Sequence, residues 1–154
     1  MKKLLFTVIA LLFCATAYSA EAPRGWTTDI NAALAQAKKT GRPVLILFTG
    51  SDWCSWCKRL KKDTLDRKDF QKFAEEELVL VYYDFPSRKK IDAGLMSEQQ
   101  KWQKKFGVRG YPTTILVDAK GNEIGRISGY AKSSDYIKKI ESFLGKKSAR
   151  RGRR

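Results

Sequence analysis

Apolar and polar positions alternate along this chain in blocks that change period, and the changes of period mark its elements. From about Thr28 to Thr40, Ile30, Ala33, Leu34 and Ala37 fall on one face of a helix. A Thr or Asp opens that segment and Gly41 stops it. Pro43 then leads into an unbroken apolar run, Val44 to Phe48, whose length and bounds suit a strand buried on both faces. Gly50, Ser51 and Asp52 break the run, and from Cys54 onward Cys57, Leu60, Thr64 and Leu65 recur at helical spacing. Residues 69–76 extend or restart helix around Phe70 and Phe73, and residues 78–84 form the next strand candidate.

Beyond it, Phe85 to Gly94 reads as a loop with Pro86 and the basic run Arg88 to Lys90, normally a solvated cluster. Ser97 with Gln100 three residues on predicts a capping box for a helix carrying Trp102 and Phe106, both suited to the core. A strand is expected over residues 113–117, a turn over 119–122, a last strand near 124–128, and a closing helix over 133–144 with Tyr136, Ile137, Ile140, Phe143 and Leu144 on its apolar face. No internal repeat or interdomain linker interrupts the series. Helices alternating with strands, followed by a strand pair and a helix, predict a single α/β domain with a central mixed sheet flanked by helices. The short final turn makes the last two strands antiparallel neighbours.

Length agrees, since 154 residues suit one ordinary core. An apolar content of 43% is too high for a disordered chain. The formal charge of +15 is unevenly spread. Lys2 and Lys3 precede an apolar run from Leu4 to Ala15 and then small residues, the pattern of a secretory leader over residues 1–20, with cuts open after Ala17, Ser19 or Ala22. A retained anchor or a buried N-terminal helix is the alternative reading of this run, which is short for a bilayer span. The other charged end, Lys146 to Arg154, holds six basic residues and no acid. It reads as a disordered tail after a domain over residues 21–145, able to touch an anionic surface.

The chain has no histidine, which removes His-based triads, His metal sites and the usual near-neutral proton shuttle. Of three cysteines, Cys14 lies in the apolar leader and leaves with it. A lipoprotein reading would acylate Cys14, but bulky Phe13 precedes it. Cys54 and Cys57 remain, inside the run Trp53, Cys54, Ser55, Trp56, Cys57. Two cysteines this close at a helix start can close a small disulfide ring. Unpaired backbone N–H groups and the helix dipole favour a thiolate at Cys54. Cys57, one turn in, is expected to be the more shielded. Cys54 is therefore the candidate nucleophile and Cys57 the candidate resolving thiol.

Structural zinc needs about four ligands, more than this pair supplies. Covalent haem needs His after the second cysteine, where Lys58 stands. An inert brace remains as the competing reading, although so short a loop constrains little unfolded-state entropy. Trp53 and Trp56 are either packed aromatics or, if exposed, an apolar rim for peptide substrates.

The apolar strand before Trp53 to Lys58, together with Val108, Arg109, Gly110, Tyr111, Pro112 and Thr113 some fifty residues on, resembles the thioredoxin superfamily. The resemblance runs from the helix near Thr28 to the helix ending at Leu144. It is further similar to the C-terminal domain of bacterial disulfide relays. It implies a thioredoxin-like fold, a cis-proline at Pro112 facing the cysteines, and a Tyr111 backbone that pairs with an extended substrate. It also implies thiol–disulfide exchange with protein thiols and disulfides, an upstream redox protein, no metal or organic cofactor, and a monomer exported to a bacterial periplasm.

One position departs from the family pattern. Many members carry a buried acid where Phe48 stands, and Asp52 is the nearest acid by sequence. Lys58, four residues beyond Cys54, favours the Cys54 thiolate and Asp52 opposes it. The rival expectation is a non-catalytic binding module that uses its tail on an anionic surface or nucleic acid. Export argues against the nucleic acid.

Overall fold

The first helix forms because its ends are specified chemically. The Asp29 carboxylate accepts the Asn31 and Ala32 N–H groups at 2.9 and 3.0 Å, and α1 (Ile30–Thr40) stops where Gly41 turns left-handed at φ +72°. The computed structural model describes residues 22–145; the expected leader and basic tail lie outside the described residues.

Five strands make one mixed sheet in the order β1-β3-β2-β4-β5: β1 (Trp26–Thr27), β2 (Val44–Thr49), β3 (Val79–Asp84), β4 (Thr113–Val117) and β5 (Glu123–Ser128). β1 and β2 run parallel to β3, whereas β4 runs antiparallel to both β2 and β5, so the last hairpin is as expected. β2 is central, and all of its residues are buried. Its pleat sends Val44, Ile46 and Phe48 to one face and Leu45 and Leu47 to the other. The first face is covered by Ile30, Ala33 and Ala37 of α1 and by Phe106 and Val108 after α4 (Ala93–Lys105). Leu60 of α2 (Ser55–Leu60), Phe70 and Ala74 of α3 (Lys68–Glu77), and Tyr136, Ile137 and Ile140 of α5 (Ser133–Phe143) cover the second. The expected α/β, thioredoxin-like arrangement is therefore present, with helices on both faces of one sheet.

Three local expectations are corrected. β1 lies before α1, where two residues carry no readable period. α4 begins at Ala93 and not at Ser97, because the Asp92 carboxylate already accepts the Leu95 N–H at 2.9 Å. Ser97 and Gln100 are thus exposed interior positions, and the loop after β3 is shorter than expected. Finally, α2 runs into one wide turn over Lys61–Leu65, in which the Asp66 N–H reaches the Lys61 carbonyl at 2.8 Å. Buried Thr64 in that turn donates to the Ala131 carbonyl at 2.6 Å, tying the end of α2 to the segment after β5.

Candidate active site

Because β2 is pinned on both sides, the turn at its C-terminal end is held rigidly above the sheet. The Cys54 N–H bonds the Gly50 carbonyl at 2.9 Å. A Cβ at Gly50 would lie 2.5 Å from the Trp53 ring, so only glycine lets the indole fold back over the turn. Cys54 has extended backbone (φ −81°, ψ 107°) and is the N-cap of α2. Its Sγ accepts the Cys57 N–H at 3.2 Å.

Cys54 and Cys57 form a disulfide with Cα atoms 5.2 Å apart. The expected contrast in exposure is nearly absent in this form: the residues are 7% and 4% exposed. Among the described residues, no cluster of Cys, Asp and Glu side chains is placed to hold a metal ion.

The Asp52 carboxylate is bonded to the loop after β3, accepting the Ser87 and Arg88 N–H groups at 3.0 and 2.7 Å. Those bonds, Ser87 foremost, and the Arg88 charge hold it below the usual 3.8. Lys58 reaches back to donate to the Asp52 carbonyl at 2.9 Å. Asp52 and Lys58, expected as competing charges near the Cys54 thiolate, both also clamp the turn through hydrogen bonds. Asp84, at the end of β3, accepts from both the backbone N–H and the hydroxyl of Ser51.

Trp53 stands 47% exposed yet tethered: its Nε1–H donates to the Phe85 carbonyl at 2.8 Å, and its ring meets Tyr111 edge-on at 5.8 Å. Tyr111 stacks on Phe85 at 5.3 Å, and Phe85 on Phe48 at 6.4 Å. The Tyr111 hydroxyl accepts from Gln103 Nε2 at 2.6 Å; burial pushes its pKa up, against the pull of that bond. Phe48 is fully buried, so the position that family members give to an acid is here part of an aromatic column.

The Tyr111–Pro112 peptide is cis, as the resemblance implies. The Pro112 carbonyl accepts the Gly129 N–H at 2.8 Å, whereas the Tyr111 N–H and C=O have no hydrogen-bond partner among the described residues.

On the other flank, Trp56 is 55% exposed and tilted against Tyr130 at 5.8 Å. The Arg59 guanidinium covers both rings, at 5.4 and 5.1 Å from their centroids. Asp63 joins the group, accepting from the Tyr130 hydroxyl at 3.1 Å and from Arg59 Nε at 3.4 Å.

The fold thus places Trp53, Cys54, Trp56 and Cys57 together with Tyr111 and Pro112 from the opposite chain segment. Sequence reasoning did not find Phe85, Gly50, Arg59 or Tyr130. Arg59, one helical turn beyond Trp56, carried a readable signal. The partnership of Arg59 with Tyr130 carried none, since only the fold joins those segments.

A thioredoxin fold bearing a two-cysteine pair at a helix N-terminus defines a class of thiol–disulfide proteins, and known sequences and structures sharpen it. The thioredoxin-like domain family matches residues 30–144, and the chain belongs to that family. It is 31% identical over 114 residues to the disulfide bond reductase DsbH of Chlamydia pneumoniae, covering 73% of this chain and 68% of that protein. It is 38% identical over 118 residues to the thiol:disulfide interchange protein DsbD of Cronobacter sakazakii, covering 75% of this chain but 19% of DsbD, so it matches only a portion of that larger protein. A solved DsbH oxidoreductase superposes with a TM-score of 0.75 at 28% identity, covering 84% of this chain and 88% of that one.

Proposed function

We propose that this protein reduces or rearranges disulfides in other exported proteins, with Cys54 as nucleophile and Cys57 as resolving thiol. The observation that carries the assignment of roles is the seat of the Cys54 sulfur: it caps α2 and receives the Cys57 backbone N–H. The same bond and the helix terminus favour the thiolate once the disulfide is reduced.

In the reduced protein, the Cys54 thiolate attacks a substrate disulfide. A Cys54–substrate S–S bond forms, and the other substrate sulfur leaves as a thiolate that takes up a proton. Cys57 then loses its proton and attacks Cys54, closing the Cys54–Cys57 disulfide and releasing the second substrate sulfur as a thiol. Two electrons have passed to the substrate, and an upstream dithiol protein returns them. The unbonded Tyr111 N–H and C=O, beside Pro112, offer a strand-like pair of contacts to the substrate backbone during exchange. Trp53 and Trp56 supply apolar contact on either side.

The reducing direction rests on two supports. The dipeptide between the cysteines is Ser55-Trp56, with neither charge nor imidazole, and the similar Chlamydia pneumoniae protein is named a disulfide bond reductase. Equilibration in glutathione buffers with thiol trapping tests it. The expected potential is nearer thioredoxin's about −270 mV than the about −120 mV of a strong oxidant, and a value at the oxidising end would recast the protein as a disulfide donor. Periplasmic export and contact of the basic tail with an anionic surface are part of the same proposal, supported by the leader pattern and the charge of residues 146–154; the proposal also takes the protein as a monomer. A non-catalytic module would not need a disulfide at a capped helix start.

A further inference from the structure

We infer that the surface around the cysteine pair docks an acidic segment of the partner protein; the inference rests on the exchange reading above and narrows its substrate class. Four segments meet at the turn that carries the disulfide, and each is tied to the next. Residues 51–59 hold the cysteines, residues 85–90 are anchored by Asp52 and Trp53, residues 109–112 pack on Trp53, and residues 129–131 meet Pro112 and Trp56. Together they carry six basic residues, Lys58, Arg59, Arg88, Lys89, Lys90 and Arg109, and one acid, Asp52. The other described residues hold seventeen basic and fourteen acidic side chains, so most of the excess positive charge stands on this one face.

All six basic side chains are exposed. Of these six, only Arg59 has a carboxylate within ion-pair distance, Asp63, and the one acid of the face is bonded to the Ser87 and Arg88 amides. Asp84 at the rim is likewise engaged, by Ser51. The Arg88 charge is partly offset by Asp52, whereas Lys89, Lys90 and Arg109 have no carboxylate partner among the described residues.

Exposed large apolar side chains gather at the same place: Trp53 and Trp56 flank the disulfide, while Ile124 stands on the edge strand β5. Indoles set among exposed cations match the anchors and rim of a protein interface, and the charge selects a partner of opposite sign. A segment with Asp or Glu beside its cysteines would be steered to the disulfide and held there. A segment flanked by Lys or Arg would be repelled.

The test uses the full chain and three disulfide-bridged peptides of equal length, whose cysteines are flanked by Glu, by Ser or by Lys. At low salt, kcat/KM for the Glu peptide should exceed that for the Lys peptide by about tenfold, and the gap should close as salt screens the charges. The Lys89→Glu/Lys90→Glu variant should lose most of that preference while its rate on the Ser peptide and its redox potential stay unchanged. Equal rates on all three peptides at low salt would overturn the docking inference and leave exchange standing. Exchange with none of them would remove the exchange reading and this inference with it. Retention of the chain on phosphatidylglycerol vesicles that the variant loses, without any peptide preference, would overturn it in favour of a lipid surface.

Discussion

Trp53 and Trp56 each immediately precede one of the two cysteines, are about equally exposed, and are held in opposite ways. Trp53 lies over a glycine that leaves it room, donates a hydrogen bond to the Phe85 carbonyl, and joins an aromatic column that reaches the core through Phe48. Trp56 touches a single ring, Tyr130, under the Arg59 guanidinium. The difference teaches that exposure and freedom are separate properties. One flank of the disulfide is a wall continuous with the sheet, and the other is an adjustable ledge fastened by side-chain tips.

Substitutions should separate wall from ledge. The largest loss is expected from Gly50→Val, whose branched side chain has no room under the indole. Urea unfolding should show about 2–3 kcal/mol of destabilisation, with altered Trp53 emission, and an unchanged midpoint would mean that the turn adjusts freely. Trp53→Ala should cost about 2 kcal/mol, through one lost hydrogen bond and the packing on Tyr111. Arg59→Ala should cost less than about 1 kcal/mol by the same measurement, since an exposed cation over exposed rings contributes little. A cost equal to that of Trp53→Ala would erase the distinction.

The smallest effect is spectroscopic. Because the Asp52 pKa is lowered, its bonds to Ser87 and Arg88 are intact above 3.8 and are lost as pH falls through the depressed value. The two amide resonances should therefore titrate with a midpoint below 3.8. A midpoint above it would show that the carboxylate does not anchor this loop.

Much of this was legible because local chemistry and global fold agree. β4 occupies Thr113–Val117 as the apolar run between Pro112 and Asp118 requires, and α1 ends where Gly41 permits a left-handed turn. The cysteine pair at a strand-to-helix turn announced itself in the same way. Elsewhere two local signals competed or none existed. Ser97 read as the helix cap, but the helix starts earlier, at the residue whose carboxylate reaches Leu95, Asp92. β1 has too few residues to show a period, and exists because β3 offers it an edge. The wide turn after α2 is set by Thr64 reaching Ala131, and the ledge by Arg59 meeting Tyr130, contacts between segments far apart in sequence. The turn at Asp52 was legible in part for a related reason: its charge was readable, but its bonds to Ser87 and Arg88 were not.

Covalent trapping tests the central claim, that Cys54 attacks and Cys57 resolves, most directly. Reduced Cys57→Ser protein, mixed with a disulfide-bonded protein substrate and quenched with alkylating reagent, should accumulate a mixed disulfide at Cys54 that dithiothreitol releases. Reduced Cys54→Ser protein should accumulate little. Accumulation through Cys57 in the Cys54→Ser variant, with none in Cys57→Ser, would reverse the roles. The absence of a mixed disulfide in both would contradict exchange at this pair.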